Sequence, residues 1–102
     1  TGEVRNGYVI KALNMVSQPR DFRLSIEGLD GGAFTLAGSD DPATTETVIS
    51  VDADRLREVK LYITAPGGGE RREFDFILEE VTATGEPGER DVVEGVFYGP
   101  DR

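Results

Sequence analysis

The stretch Asp21-Phe22-Arg23-Leu24-Ser25-Ile26-Glu27-Gly28 decides the fold class. Phe22, Leu24 and Ile26 recur at every second position, and Asp21, Arg23, Ser25 and Glu27 fill the positions between them. Successive side chains of an extended strand point to opposite faces, so this run collects its apolar groups on one side and its polar groups on the other. It predicts a half-buried strand of an antiparallel sheet, with Phe22, Leu24 and Ile26 turned toward a core.

The same reading extends outward in both directions. Val59, Leu61 and Ile63 alternate with Lys60, Tyr62 and Thr64 until Pro66 and the glycines at 67, 68 and 69 end the run. Phe74, Phe76 and Leu78 alternate with Asp75, Ile77 and Glu79. Gly7 to Val16 is denser, with Tyr8, Ile10 and Ala12 on one face and Val9, Leu13 and Met15 beside Lys11 on the other, which predicts a more central strand with both faces partly covered. Ala33 to Leu36 follows the Gly31-Gly32 turn as a short strand, Glu46 to Val51 is rich in β-branched residues, and Val92 to Tyr98 alternates around Gly95. A glycine inside a strand marks a bulge or a close backbone approach.

Seven short strands separated by turn signals describe an all-β, immunoglobulin-like antiparallel β-sandwich. Helical spacing is confined to Asp52–Glu58, where Asp54 is a candidate cap for a single connecting turn. Gly38 to Thr45 and Thr82 to Asp91 read as inter-strand loops. With 102 residues, no internal repeat and no dividing linker, residues 1–102 form a single domain.

Composition excludes most chemistry. The chain has no cysteine, histidine or tryptophan, which removes disulfides, iron–sulfur clusters, ordinary zinc sites and cysteine or histidine nucleophilic systems. Its net charge of −9 opposes duplex nucleic acid or an anionic membrane surface as the main partner. The excess is uneven: residues 1–38 hold four acidic and four basic side chains, and 39–102 hold sixteen and seven. Apolar runs are no longer than Phe76-Ile77-Leu78, too short for a membrane span or a signal peptide.

The remaining constellations have plain readings. Asp40 with Asp41, Asp52 with Asp54, and Glu79 with Glu80 are the acidic pairs that catalysis or calcium would need, but none has EF-hand spacing, and a solvated surface accounts for them. Gly67-Gly68-Gly69 leads into Glu70-Arg71-Arg72 and a strand, where a phosphate loop requires a helix. This reads as a hairpin tip whose arginines keep an aromatic strand soluble. Tyr8, Tyr62, Phe97 and Tyr98 could make a sugar platform or pack at the core and rim, and packing is the reading adopted. Met15, the only sulfur atom, is read as core filler. Asn14 sits where a side-chain amide ties down a strand end.

These residues also resemble a known family. Arg5-Asn6-Gly7-Tyr8, then Lys11, Leu13 and Asn14, then Pro19 with Phe22-Arg23-Leu24 and Glu27-Gly28, are similar to the start of the immunoglobulin-like C-terminal domain of the FixG/CcoG family. Val96-Phe97-Tyr98-Gly99-Pro100 resembles its closing strand, and Val51 to Leu56 leading into Val59-Lys60-Leu61-Tyr62-Ile63-Thr64 is similar in pattern. The resemblance implies a parent that is a membrane-bound accessory protein for assembly of cbb-type cytochrome c oxidases, with iron–sulfur clusters and a role in copper handling. It places this domain on the periplasmic side of the bacterial inner membrane, after the last span. The polar opening Thr1-Gly2-Glu3 suits a soluble piece of such a protein.

The expected function is therefore a non-catalytic structural or protein-interaction module, with no catalytic, cofactor-binding or metal-binding residue of its own. Its expected partner is another protein or the membrane-embedded part of its parent, with no nucleic acid and no membrane insertion by this chain. The alternative is an extracellular calcium- or carbohydrate-binding β-sandwich. A free-standing enzyme would need a nucleophile or an acid–base pair that the sequence does not offer.

Overall fold

The computed structural model describes residues 3–67, 71–86 and 88–99. Its strands are β1 (Glu3–Asn14), β2 (Arg20–Glu27), β3 (Ala33–Leu36), β4 (Glu46–Val51), β5 (Arg55–Pro66), β6 (Arg71–Val81) and β7 (Arg90–Tyr98). They form two antiparallel sheets, one ordered β1-β5-β3 and the other β4-β2-β6-β7. The chain changes sheet at every step from β1 to β6, and only β6 and β7 are consecutive neighbours within one sheet. The expected all-β sandwich is present.

One apolar cluster joins the two inner faces. Ile10, Ala12, Phe34, Val59, Leu61 and Ile63 come from the first sheet. Phe22, Leu24, Ile49, Phe74, Phe76 and Phe97 come from the second. The deciding stretch has the predicted register: Phe22 and Leu24 are buried and Ile26 packs partly buried against the cluster. Gly95 is a close approach and not a bulge, because the β6–β7 register runs through it unbroken. A Cβ there would lie 2.8 Å from Phe74 and 2.9 Å from Phe76, so the two rings use the space that a side chain would take.

Four expectations are corrected. Asp52–Glu58 contains no helical turn: Ala53 and Asp54 make a tight turn, and β5 begins at Arg55. Asp54 has φ 53°, the left-handed region, whereas a helix cap requires an extended backbone. The ladder Leu13↔Leu56, Ala12↔Arg57 and Lys11↔Glu58 takes these residues into the sheet and outweighs their weak helical tendency. β1 is an edge strand and not a central one, so Val9, Leu13 and Met15 on its outer face stay exposed.

β5 and β6 lie in different sheets, so their connection is a crossover and not a hairpin. The tip itself, Gly68, Gly69 and Glu70, lies outside the described residues. Arg72 does more than keep β6 soluble, for its guanidinium lies 5.2 Å over the Phe97 ring and donates to the Pro66 carbonyl. Finally, Ile77 is buried on the outer face of β6, where alternation alone grouped it with Asp75 and Glu79. It is flanked in register by Ser25 on β2 and Val92 on β7, a central position that shields it.

Because Leu24 has no exposed surface and Glu27 on the same strand is exposed, Leu24→Ala should cost about 2–5 kcal/mol in denaturant unfolding. Glu27→Ala should stay within about 0.5 kcal/mol. Equal effects of the two would contradict the register.

Candidate functional site

Among the described residues the most heavily bonded polar side chain is Asn14, the last residue of β1 and fully buried. Even-numbered residues of β1 face inward, so after Tyr8, Ile10 and Ala12 the last inward position falls on an amide. Its Nδ2 donates to the carbonyls of Gln18 (2.8 Å), Val51 (3.1 Å) and Asp52 (3.1 Å). Its Oδ1 accepts from the Val16 amide (3.1 Å) and from Arg20 Nε (2.8 Å). Arg20 Nη1 in turn pairs with Glu89 at 3.0 Å and Glu80 at 3.6 Å. One amide thus ties the end of β1 to β2, to the end of β4 and, through Arg20, to the segment between β6 and β7.

The open edges of β1 and β7 run beside each other at one side of the sandwich. Residues in an antiparallel ladder alternate between bonding their neighbour and pointing away. The Glu80 amide donates to the Glu89 carbonyl (2.7 Å), so with this register the odd residues of β7 bond β6 and the even ones point outward. Side chains of β1 cap the outward groups at one end. Tyr8 Oη donates to the Val96 carbonyl (2.8 Å), and Asn6 bonds both the Tyr98 carbonyl (3.0 Å) and the Tyr98 amide (3.1 Å). No hydrogen bond is found, among the described residues, to the outward backbone of Val92 and Glu94 at the other end.

β1 has the same alternation. Phe34 uses both its amide and its carbonyl on Thr44 (2.7 and 2.9 Å), so Ala33 and Thr35 bond β5, and the even residues of β5 face β3. The odd residues of β5 then bond the even residues of β1, which leaves the backbones of Val9, Lys11 and Leu13 pointing outward. Between the uncapped ends of β1 and β7 lies a groove of about 480 Å³. Ile10, Leu24, Phe76 and Leu78 line it from within, and Leu13, Met15, Val16, Val92 and Val93 form its apolar rim. Val93 belongs to the inward face of β7 but remains 47% exposed, because nothing from the first sheet covers it here.

The residues singled out in the sequence do not assemble into a chemical centre. Asp40 and Asp41 are exposed in the loop before β4, Asp52 and Asp54 sit at the turn into β5, and Glu79 and Glu80 pair with Arg23 and Arg20. Among the described residues, no group of three or more acidic, histidine or cysteine side chains comes together. The four rings are also dispersed. Phe97 is buried, and Tyr8 packs edge-on against Phe74 (5.7 Å) and Phe76 (5.3 Å). Tyr62 lies under the Arg5 guanidinium at 4.2 Å, and Tyr98 is exposed on the second sheet. Met15 is not core filler: it is 76% exposed at the groove rim, since Asn14 takes the last inward position of β1 and Met15 points the other way. The reading of the residues missed Arg20 and Asn6. Asn6 carries a faint signal, since it lies two residues before Tyr8 on the same face.

Over residues 1–100 the chain matches the family described as an IG-like fold at the C-terminal of FixG, a candidate oxidoreductase. The chain belongs to this FixG C-terminal domain family. It is 34% identical to the nitrogen fixation protein FixG of Rhizobium meliloti strain 1021, over 97% of this chain and 19% of that protein. It is 35% identical to the protein RdxA of Cereibacter sphaeroides, over 68% of this chain and 14% of that protein. The FixG-type domain therefore spans less than a fifth of either curated relative. No solved structure matches it. No helix among its described residues is long and apolar enough to cross a membrane.

Two predictions follow from this corner and edge of the FixG-type domain. Asn14→Asp keeps the size of the side chain but removes its donors, stranding buried carbonyls beside a new acid, and should cost about 2–4 kcal/mol in urea unfolding. A loss below about 0.5 kcal/mol would show that water replaces the amide. Burial pushes the Tyr8 hydroxyl up from 10.0 to about 12, with the neighbouring Tyr98 adding to the shift. The folded state keeps this proton where the unfolded chain has lost it, so the stabilisation is complete below pH 10.0 and disappears as pH rises to about 12. The urea midpoint should fall across that window, and Tyr8→Phe should flatten the fall.

Proposed function

We propose that this domain is the non-catalytic, periplasmic immunoglobulin-like module of a membrane-bound FixG/CcoG-type iron–sulfur protein that serves cbb-type oxidase assembly and copper handling. Within that protein it acts through protein contacts, either with a partner or with the membrane-embedded part of its own chain. The observation that carries this reading is the family match along nearly the whole chain, to a domain that forms only the C-terminal piece of FixG.

The side chains support the division of labour. Iron–sulfur clusters require thiolates, and the chain has no cysteine, so its residues do not fit such a cluster. Copper(I) favours thiolates and thioethers and copper(II) favours imidazoles, and here a single exposed thioether, Met15, stands alone. Redox chemistry and metal transfer then belong to the rest of the parent. The strongest polar assemblies, around Asn14 and at the Asn6–Tyr98 cap, hold the sandwich together, and the surface left for recognition is the apolar groove between β1 and β7.

Deleting the domain from the full-length parent should lower the amount of assembled cbb-type oxidase while the parent keeps its iron–sulfur clusters. The purified domain, titrated with copper(I) against a competing chelator, should take up none stoichiometrically, and millimolar calcium should leave its melting temperature unchanged. Full oxidase assembly without the domain would overturn the reading. So would a stoichiometric copper site that is lost in Met15→Leu.

A further inference from the structure

We propose that the uncapped end of β7 is a strand-acceptor site, which binds an extended segment of a separate polypeptide carrying alternating apolar and basic side chains. The inference rests on the protein-contact reading above and assigns the contact face and the chemistry of the partner.

The backbone of the partner follows from the ladder. At Val92 and Glu94 the amide and carbonyl groups point away from β6 and find no acceptor or donor among the described residues. Unpaired edge groups in a row are matched by another extended chain, which supplies complementary groups at the same spacing. The site has a natural end. The Val96 carbonyl is taken by Tyr8 and both backbone groups of Tyr98 by Asn6, so an added strand finds no continuous row of free groups beyond Glu94. The opposite side of the sandwich lacks this opening at Phe34, because Thr44 bonds both of its backbone groups and closes the edge of β3.

The side chains of the partner follow from the groove and its charge. A strand laid beside β7 turns every second residue inward, next to Val93, over Ile10 and Phe76. These positions call for apolar groups, and together with Leu13, Met15 and Val92 they would cover the exposed rim. The alternate residues face outward beside Glu94, and Asp91 stands on the inward row at the end of the groove; neither makes an ion pair among the described residues, on a chain of net charge −9. Basic side chains complement them. Charge also argues against a second copy. Self-pairing through β1 about its open centre would set Lys11 against Lys11, and self-pairing through either edge would bring two chains of −9 together.

The test uses the purified chain and a capped synthetic peptide of about eight alternating valines and lysines, with the valine–glutamate analogue and a proline-interrupted version as controls. The valine–lysine peptide should slow amide hydrogen exchange at Val92 and Glu94 by at least about tenfold. Its affinity should fall as salt rises, and neither control should bind. Val93→Lys should abolish binding. Glu94→Lys, an exposed change that leaves the core alone, should weaken it about tenfold with the melting temperature unchanged, so a misfolded Val93 variant does not leave the question open.

Three outcomes would overturn the proposal. The first is no protection at saturating peptide, or protection at Val9 and Lys11 in place of β7. The second is a self-dimer that protects the same β7 amides without peptide. The third is that these amides are already protected in the longer parent, which would make its own chain the occupant. Any of these, alongside impaired oxidase assembly on deleting the domain, would sink the acceptor site and leave the protein-contact role standing. Normal assembly after deletion would sink that role independently.

Discussion

The buried amide of Asn14 is the constraint on which the rest of the sandwich depends. Chains of this size bury a modest core, and two sheets held only by apolar contact could slide or splay at their edges. Asn14 prevents this at one corner by accepting from Arg20 and Val16 while donating to Gln18, Val51 and Asp52. These bonds are directional, so they fix where β1 ends and where β2 starts. They also set how the turn after β4 enters β5. Removing the donors while leaving the carbonyls buried costs more than the bonds contribute as a net sum, which is why a polar residue is sustained at a fully buried position.

From that corner the two edges diverge. At one end Asn6 and Tyr8 reach across from β1 and occupy the Val96 carbonyl and the outward groups of Tyr98, while the Tyr8, Phe74 and Phe76 rings fill the space beneath, next to Gly95. At the other end no such side chains are available. Lys11 and Leu13 point outward from the first sheet, and the inward residues Ile10 and Ala12 do not reach the β7 edge to cap it. The groove is the consequence. It exists because β1 spends its long polar side chains at the Tyr98 end and its amide at the Arg20 corner.

Membership in the FixG C-terminal family agrees with this distribution of chemistry. The chain carries no thiolate and no imidazole, and what it presents outward is backbone edge and surface. Arg20 and Arg23 pair with Glu79, Glu80 and Glu89, and Asp91 and Glu94, which make no ion pair among the described residues, lie along the open edge.

What the sequence by itself determined was local. Period-two alternation is a property of each strand alone, so Phe22 with Leu24, Val59 with Leu61 and Ile63, and Phe74 with Phe76 declared their buried faces, and Asn14 declared itself as a strand-end tie. The family could be read from the same residues. Only the tertiary structure decided which strands lie at edges, because neighbours are chosen by pairings distant in sequence. The helical reading at Asp52–Glu58 failed against the β1–β5 ladder, and Met15 was misplaced because apolar character says nothing about whether a partner strand stands opposite. The groove was illegible for the same reason. It is made of backbone groups that every residue carries, and whether they are satisfied depends on what the fold places beside them.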